Sequence, residues 1–184
     1  MNAWELPATA RIGGVIYPIY ADYRDILEIF RYLEDPNEPE YVRWQIALAL
    51  FYEGEIPAEH MGEAIEYLVK FLSCGDTKPT PGPKLLDWEQ DAQIIISDVN
   101  KVAQQEIRAM PYLHWWTFLS WFHAIGEGQL SSLVAIRQKL QKGQKLEPWE
   151  QEYYRKNKAQ VDLRRRYSAE ELAEQERLQK LLGG

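Results

Sequence analysis

Pro111-Tyr112-Leu113-His114-Trp115-Trp116-Thr117-Phe118-Leu119-Ser120-Trp121-Phe122-His123 places six aromatic residues in thirteen, with three of the chain's seven tryptophans among them. A proline at the first position of a helix has its φ preset and lacks only an N–H that would find no partner there, so Pro111 is placed to open a helix. No glycine follows until Gly126. At 1.5 Å per residue this helix is about 20 Å long, well short of the roughly 30 Å bilayer core, which argues against a membrane span. Its apolar residues go nearly all round. That pattern belongs to a central core helix, or to one whose second face is covered by a partner. Core packing is the first reading, because large aromatics dominate cores. A protein-binding surface is the second, because Trp and Tyr anchor interfaces best.

Outward from this run the sequence predicts further helices. Downstream, Leu130, Leu133, Val134, Ile136 and Leu140 support a helix ending near Gly143, and Pro148 opens another short one. Ser168-Ala169-Glu170-Glu171 has the capping-box spacing and starts a last helix with few apolar residues. Upstream, Asp87-Trp88-Glu89-Gln90 has the same spacing, with Asp87 bonding the open N–H groups of the first turn and Gln90 reaching back. Trp88, Ala92, Ile95, Ile96, Val99, Val102 and Ala103 then fall within one stripe at about 100° per residue.

At the other end, Thr9 to Ile19 sets Gly13-Gly14 between short runs with β-branched residues, a hairpin signal, and Pro18 confines its strand to an edge or an end. Asp22 is placed to cap a helix with the apolar face Ile26, Leu27, Ile29, Phe30 and Leu33. A second helix is predicted from about Pro39 to Tyr52, and a third opens at Pro57 and closes at Gly75. The fold class is mainly α: a compact multi-helix domain with a small N-terminal β-hairpin and a helical, basic C-terminal arm. The expected divisions are 1–75, hairpin plus helices; 76–86, a Pro/Gly-rich connector; 87–143, the central helical core; and 144–184, the arm. Together they are expected to form one folded unit.

Charge is distributed unevenly over the 184 residues, whose net charge is −7. Residues 1–136 carry 9 Lys and Arg against 20 Asp and Glu, whereas residues 137–184 carry 12 against 8. An acidic body argues against phosphate-backbone binding, and Arg164-Arg165-Arg166 is far short of a nucleic-acid stripe. A solvated or self-paired arm is the expectation, partly disordered until it meets a partner. The lone Cys74 fits a reducing compartment, and Met1-Asn2-Ala3-Trp4-Glu5 lacks the pattern of a secretory signal, so a cytoplasmic location is expected.

Residues that carry chemistry are few. His114 and His123, nine residues apart, point nearly 180° away from each other on one helix and cannot share an ion; each is expected to find a local hydrogen-bond partner. His60 reads as a surface residue. Asp87, Asp91 and Asp98 lie within about 40° on the capped helix, and aligned carboxylates can hold Mg²⁺ or do acid/base work. A solvated acidic face is the simpler reading, since Asp87 is used as a cap. Glu106 is either a buried, paired carboxylate or a residue beyond the packed face. Cys74 precedes a glycine in a turn, beside an Asp76 that would raise its pKa. No nucleophile context, P-loop or dinucleotide fingerprint is present, so no catalytic, cofactor or metal residues are expected and the protein reads as a non-enzyme.

Asp87-Trp88-Glu89-Gln90-Asp91, Asn100-Lys101-Val102-Ala103, Glu106-Ile107-Arg108 and Tyr112-Leu113-His114-Trp115-Trp116-Thr117-Phe118 together resemble the gene-product-fifteen family of long-tailed phages and prophages of Gram-positive bacteria. The resemblance extends from Trp4-Glu5-Leu6-Pro7 and Ile12-Gly13-Gly14 to Asp162-Leu163, strongest over 85–122, and leaves out the final helix. It implies a tail assembly chaperone-like protein that binds the hydrophobic, helical tape-measure protein and recruits tail-tube subunits in the host cytoplasm. It brings no catalytic residues. A chaperone for an apolar helix needs a groove for i, i+3, i+4 and i+7 anchors, and Trp88, Trp115, Trp116, Trp121 and Phe122 are the residues expected to line it. The alternatives are a structural tail or adaptor component retained in the virion and, from another class, a metal-dependent enzyme using Asp87, Asp91 and Asp98. An aromatic helix that is apolar all round would also suit a homo-oligomer.

Overall fold

A computed structural model describes residues 4–75 and 82–182. Among the described residues the chain is mainly α, with one two-stranded antiparallel hairpin, β1 (Thr9–Ile12) and β2 (Val15–Pro18), and nine α-helices. The helices are α1 (Tyr23–Leu33), α2 (Glu40–Phe51), α3 (Met61–Leu72), α4 (Ala92–Ala103), α5 (Trp115–His123), α6 (Gln129–Gln141), α7 (Pro148–Lys156), α8 (Lys158–Val161) and α9 (Ala169–Leu182). Of the connector read at 76–86, residues 76–81 lie outside the described residues. Two compact units are defined by contact. One comprises Ala21–Tyr23 and Lys70–Arg164 with the chain up to Leu6; the other comprises Pro7–Tyr20, Arg24–Val69 and the chain from Arg165 onward.

The hairpin belongs to the second of these. Its register pairs Ile12 with Val15 across Gly13-Gly14, whose φ values of 56° and 83° fit the two-residue turn that matches strand twist. Pro18 ends β2, where its missing N–H breaks no ladder. Ala10 and Ile12 are buried with Ile26, Ile29, Leu48, Phe51 and Leu68. Tyr67 donates its hydroxyl to Thr9 O at 2.9 Å, and buried Tyr52 donates to Ala64 O at 2.9 Å. Burial pushes the Tyr52 phenol pKa up. Ser168 and Glu171 make both halves of the expected capping box at the start of α9. Arg166 faces Glu34 at 3.6 Å and Arg165 faces Glu171 at 3.7 Å, so both are self-paired.

His60 is more than a surface residue. A Cβ on Gly13 would stand 2.3 Å from its Nε2, and Gly13 N donates to Glu63 Oε2 at 2.9 Å. Gly13→Ala therefore meets both a left-handed φ and a filled space, and we expect it to cost at least about 2 kcal/mol in urea unfolding. Gly14→Ala, with nothing within 4 Å of its Cβ, is expected to lose no more than about half of that.

In the other unit, α5 starts four residues later than Pro111 suggested. Leu113 N donates to Asp22 Oδ2 at 2.8 Å, Tyr23 N donates to Leu113 O at 2.9 Å, and Trp115 N donates to Ala21 O at 2.7 Å. These bonds hold Leu113 and His114 extended against Ala21–Tyr23, and tertiary pairing overrides the helix-opening preference of the proline. His114 then caps α5, its Nδ1 accepting from Trp116 N at 3.0 Å. At the end of α3, Gly75 N bonds to Lys70 O and Cys74 N to Phe71 O, a Schellman ending in which Cys74 (φ 52°) takes the left-handed position. The Cys74 thiol, partly desolvated although the residue is exposed, has its pKa pushed up to about 11. Asp76, expected to act on it, lies outside the described residues.

Part of the arm belongs to this unit. Residues 144–164 are packed into this unit, with Leu146, Glu150 and Val161 buried. Glu150 accepts from Lys139 Nζ at 2.8 Å and from Glu147 N at 2.7 Å, and these bonds lower its pKa. Just before this stretch, Arg137 and Lys139 pair with Asp91 and Glu150, and within it Lys156 pairs with Glu152 at 2.7 Å.

Candidate functional site

The residues expected to line a groove divide into core and rim. Trp115 and Trp116 are 1% and 8% exposed, and their indole N–H groups donate to Leu72 O at 3.0 Å and Phe71 O at 2.9 Å. Phe118 stacks on Tyr23 at 4.9 Å and on Trp115 at 5.5 Å between ring centroids. Trp115 and Trp116 are therefore core, held by packing and by their one polar atom, and have no free face for a partner. Trp88, Trp121 and Phe122 are half-buried. The Trp88 ring lies 5.1 Å from Phe122 and 5.8 Å from Trp115, so a packed aromatic base carries a partly open aromatic edge. On α5, Trp115, Phe118, Leu119 and Phe122 share one face at i, i+3, i+4 and i+7, while Ser120 and His123 are exposed.

Asp87, Asp91 and Asp98 form no solvated face: they are 5%, 1% and 2% exposed. Burial of carboxylates demands partners, and each has its own. Asp87 Oδ1 accepts from Glu89 N and Gln90 N at 3.0 and 2.8 Å, and Lys84 pairs with Oδ2 at 3.0 Å. Asp98 pairs with Lys101 at 2.7 Å and accepts from Leu130 N at 3.0 Å, joining α4 to the start of α6. A Cβ on Gly128 would come 2.9 Å from Asp98 Oδ2, so glycine is what permits this approach. Asp91 meets Arg137 in a buried fork, Oδ2 to Nη1 at 2.6 Å and Oδ1 to Nη2 at 2.9 Å. Among the described residues no group of three metal-ligating side chains comes together.

Arg137 is the residue that the sequence reading missed. Its Nε donates to Val161 O at 2.8 Å, Nη1 also to Leu85 O at 3.0 Å, and Nη2 also to Gln160 O at 2.7 Å. All five guanidinium N–H groups are thereby used. Gln90 does not reach back in a capping box; Asp91 Oδ2 takes that role, accepting from Asp87 N at 3.0 Å. The Gln90 amide instead clamps the middle of the arm, donating to Gln160 O and Asp162 O at 3.1 and 2.9 Å and accepting from Arg164 N at 2.9 Å. Arg137 and Gln90 together fix residues 160–164.

Glu106 lies beyond the packed face yet is paired. It accepts from Arg108 N, Nε and Nη2 at 3.0, 2.8 and 2.8 Å and from Asn100 Nδ2 at 3.0 Å, while Asn100 Oδ1 accepts from Ile107 N at 2.9 Å. This knot turns the chain after α4. The bonds from Arg108 hold the Glu106 carboxyl down at about 2. A folded pKa below the unfolded value of about 4.3 contributes stability that is present above that value and is lost as pH falls toward about 2. We expect the urea midpoint to fall on acidification through this window, and to fall less steeply in Glu106→Gln.

A family model described as Bacteriophage Gp15 protein matches residues 4–163, and the chain belongs to this phage protein family. The match ends beside the residues that Gln90 and Arg137 clamp, before α9. No curated protein and no solved structure matches the chain. No helix among the described residues is long and apolar enough to cross a membrane.

Proposed function

We propose that this phage protein is a non-enzymatic tail assembly chaperone that binds the tape-measure protein through the open aromatic edge of Trp88, Trp121 and Phe122. The observation that carries the proposal is the division of the aromatic residues: Trp115 and Trp116 are locked in the core, whereas Trp88, Trp121 and Phe122 are half-buried, with the Trp88 and Phe122 rings packed together on that base. Rings fixed from beneath lose little entropy when a helix docks, which is what favours aromatic anchors. Family membership supplies the phage context, and the acidic composition of residues 1–136 suits a carrier that keeps an apolar client in solution.

A chaperone leaves the finished particle. Mass spectrometry of purified virions is expected to detect the tape-measure and tail-tube proteins without this chain. Its presence at a fixed copy number would support instead a structural or adaptor component.

A further inference from the structure

The unit formed around the hairpin holds an apolar feature separate from the α5 cluster. Tyr41, Val42, Trp44, Ile46 to Leu50 and Phe51 make α2 apolar nearly all round, yet only Ala47, Leu48 and Phe51 of this helix are buried. By the same physical rule applied to α5, a helix apolar on every side is covered on every side or awaits a cover. The remaining face borders an open hollow of about 630 Å³ lined by Tyr41, Trp44, Met61 and Ile65, with Tyr41 67% exposed. A second hollow of about 560 Å³, reaching to Tyr52 and Ile56, shares Gln45 and Met61 with the first, so the two adjoin as a groove bordered by α2, the connection after it and the start of α3.

Charge tells what occupies it. Glu40 lies in one hollow and Glu55 in the other, and no lysine or arginine lines either. Residues 38–66, which supply the groove, contain seven glutamates and one cation, Arg43, whose guanidinium is turned to Leu33 O at 2.8 Å. Most of the lining residues lie on α2 and α3, with Tyr52, Gly54, Glu55 and Ile56 of the connection lining the rest, and two helices flanking a hollow present the side-chain ridges that a third helix packs against.

We infer that this groove is a docking site for a partner protein's amphipathic helix whose apolar anchors, at i, i+3 or i+4, and i+7, are flanked by Lys or Arg. Anchors enter the hollows at Tyr41, Trp44, Met61 and Ile65, and the flanking cations meet Glu40 and Glu55. The site involves different residues from Trp88, Trp121 and Phe122 and stands whether or not the tape-measure protein binds those.

The test uses the full-length chain and a display library of amphipathic helical peptides whose positions beside the apolar stripe are randomised. Selection on the wild-type chain, with Glu40→Lys/Glu55→Lys as counter-selection, is expected to enrich peptides carrying Lys or Arg beside the stripe. By fluorescence anisotropy, an enriched peptide should bind at least about tenfold more weakly to Glu40→Lys/Glu55→Lys and to Tyr41→Ala, and its wild-type affinity should fall with added salt. Glu40, Tyr41 and Glu55 are exposed, so these variants keep the fold. No enrichment, enrichment of acidic or uncharged flanks, or equal binding to the variants would overturn the inference. So would gel filtration showing a homo-oligomer that Tyr41→Ala dissolves, since the occupant would then be a second copy of the chain.

Discussion

Replacing Arg137 by methionine is expected to destabilise the protein by about 3–5 kcal/mol, because it strands the Asp91 carboxylate in a buried site. It also removes the donors to Leu85 O, Gln160 O and Val161 O. Set against a total stability of about 5–15 kcal/mol for a domain, that is a large share. Arg137→Lys keeps the charge but not the five-donor fork, and is expected to lose more than half of what the methionine variant loses. The double variant Asp91→Leu/Arg137→Met removes both charges and is expected to unfold at a higher urea concentration than Arg137→Met alone, since no carboxylate is then left unpaired. Equal midpoints for Arg137→Met and the wild type would show that the fork contributes nothing net.

The second large effect separates core from rim. Trp115→Ala removes a fully buried indole and its bond to Leu72 O, and is expected to cost about 3–5 kcal/mol. Trp121→Ala, at a half-buried position on the same helix, is expected to cost no more than about 1 kcal/mol. Urea unfolding followed by far-ultraviolet circular dichroism measures both. If the two variants lose the same stability, the division of the aromatic run between packing and docking is wrong.

Local signals in the sequence found the elements where local chemistry decides them. Gly13-Gly14 had one sensible turn, Ser168 and Glu171 one sensible cap, and Gly143 one sensible helix end. Pro111 misled because the residues after it bond to Ala21–Tyr23, a contact about ninety positions away that no local rule reports. The acidic face on α4 misled for a different reason. Asp91 and Asp98 sit three and four residues from Ile94 and Ile95, at the side of the apolar stripe and between it and the buried Ile94, and Arg137 follows Leu130 and Leu133 at i+7 and i+4 in the stripe of α6. Opposite charges embedded in two apolar stripes are the signal of a buried pair. Read in isolation, each looked like part of a charged surface.

The same distinction governs the site. That α5 is aromatic was plain, but which rings are covered depends on Phe71, Leu72 and Tyr23, distant in sequence. The groove beside α2 was not read from the sequence, although residues 41–51 are apolar apart from Arg43 and Gln45. Its acidic border, Glu40 and Glu55, follows only once α2 and the connection after it are seen together.

In the proposed function the partly open rings Trp88, Trp121 and Phe122 hold the tape-measure protein. The most direct test is co-expression of that protein with the wild-type chain and with Trp121→Ala/Phe122→Ala, followed by affinity pull-down and gel filtration, with circular dichroism to verify the fold of the variant. The expected result is a soluble complex with the wild-type chain, an insoluble tape-measure protein when expressed alone, and loss of the complex with the folded variant. A wild-type chain that elutes alone at every salt concentration, or a folded variant that retains the complex, would contradict it.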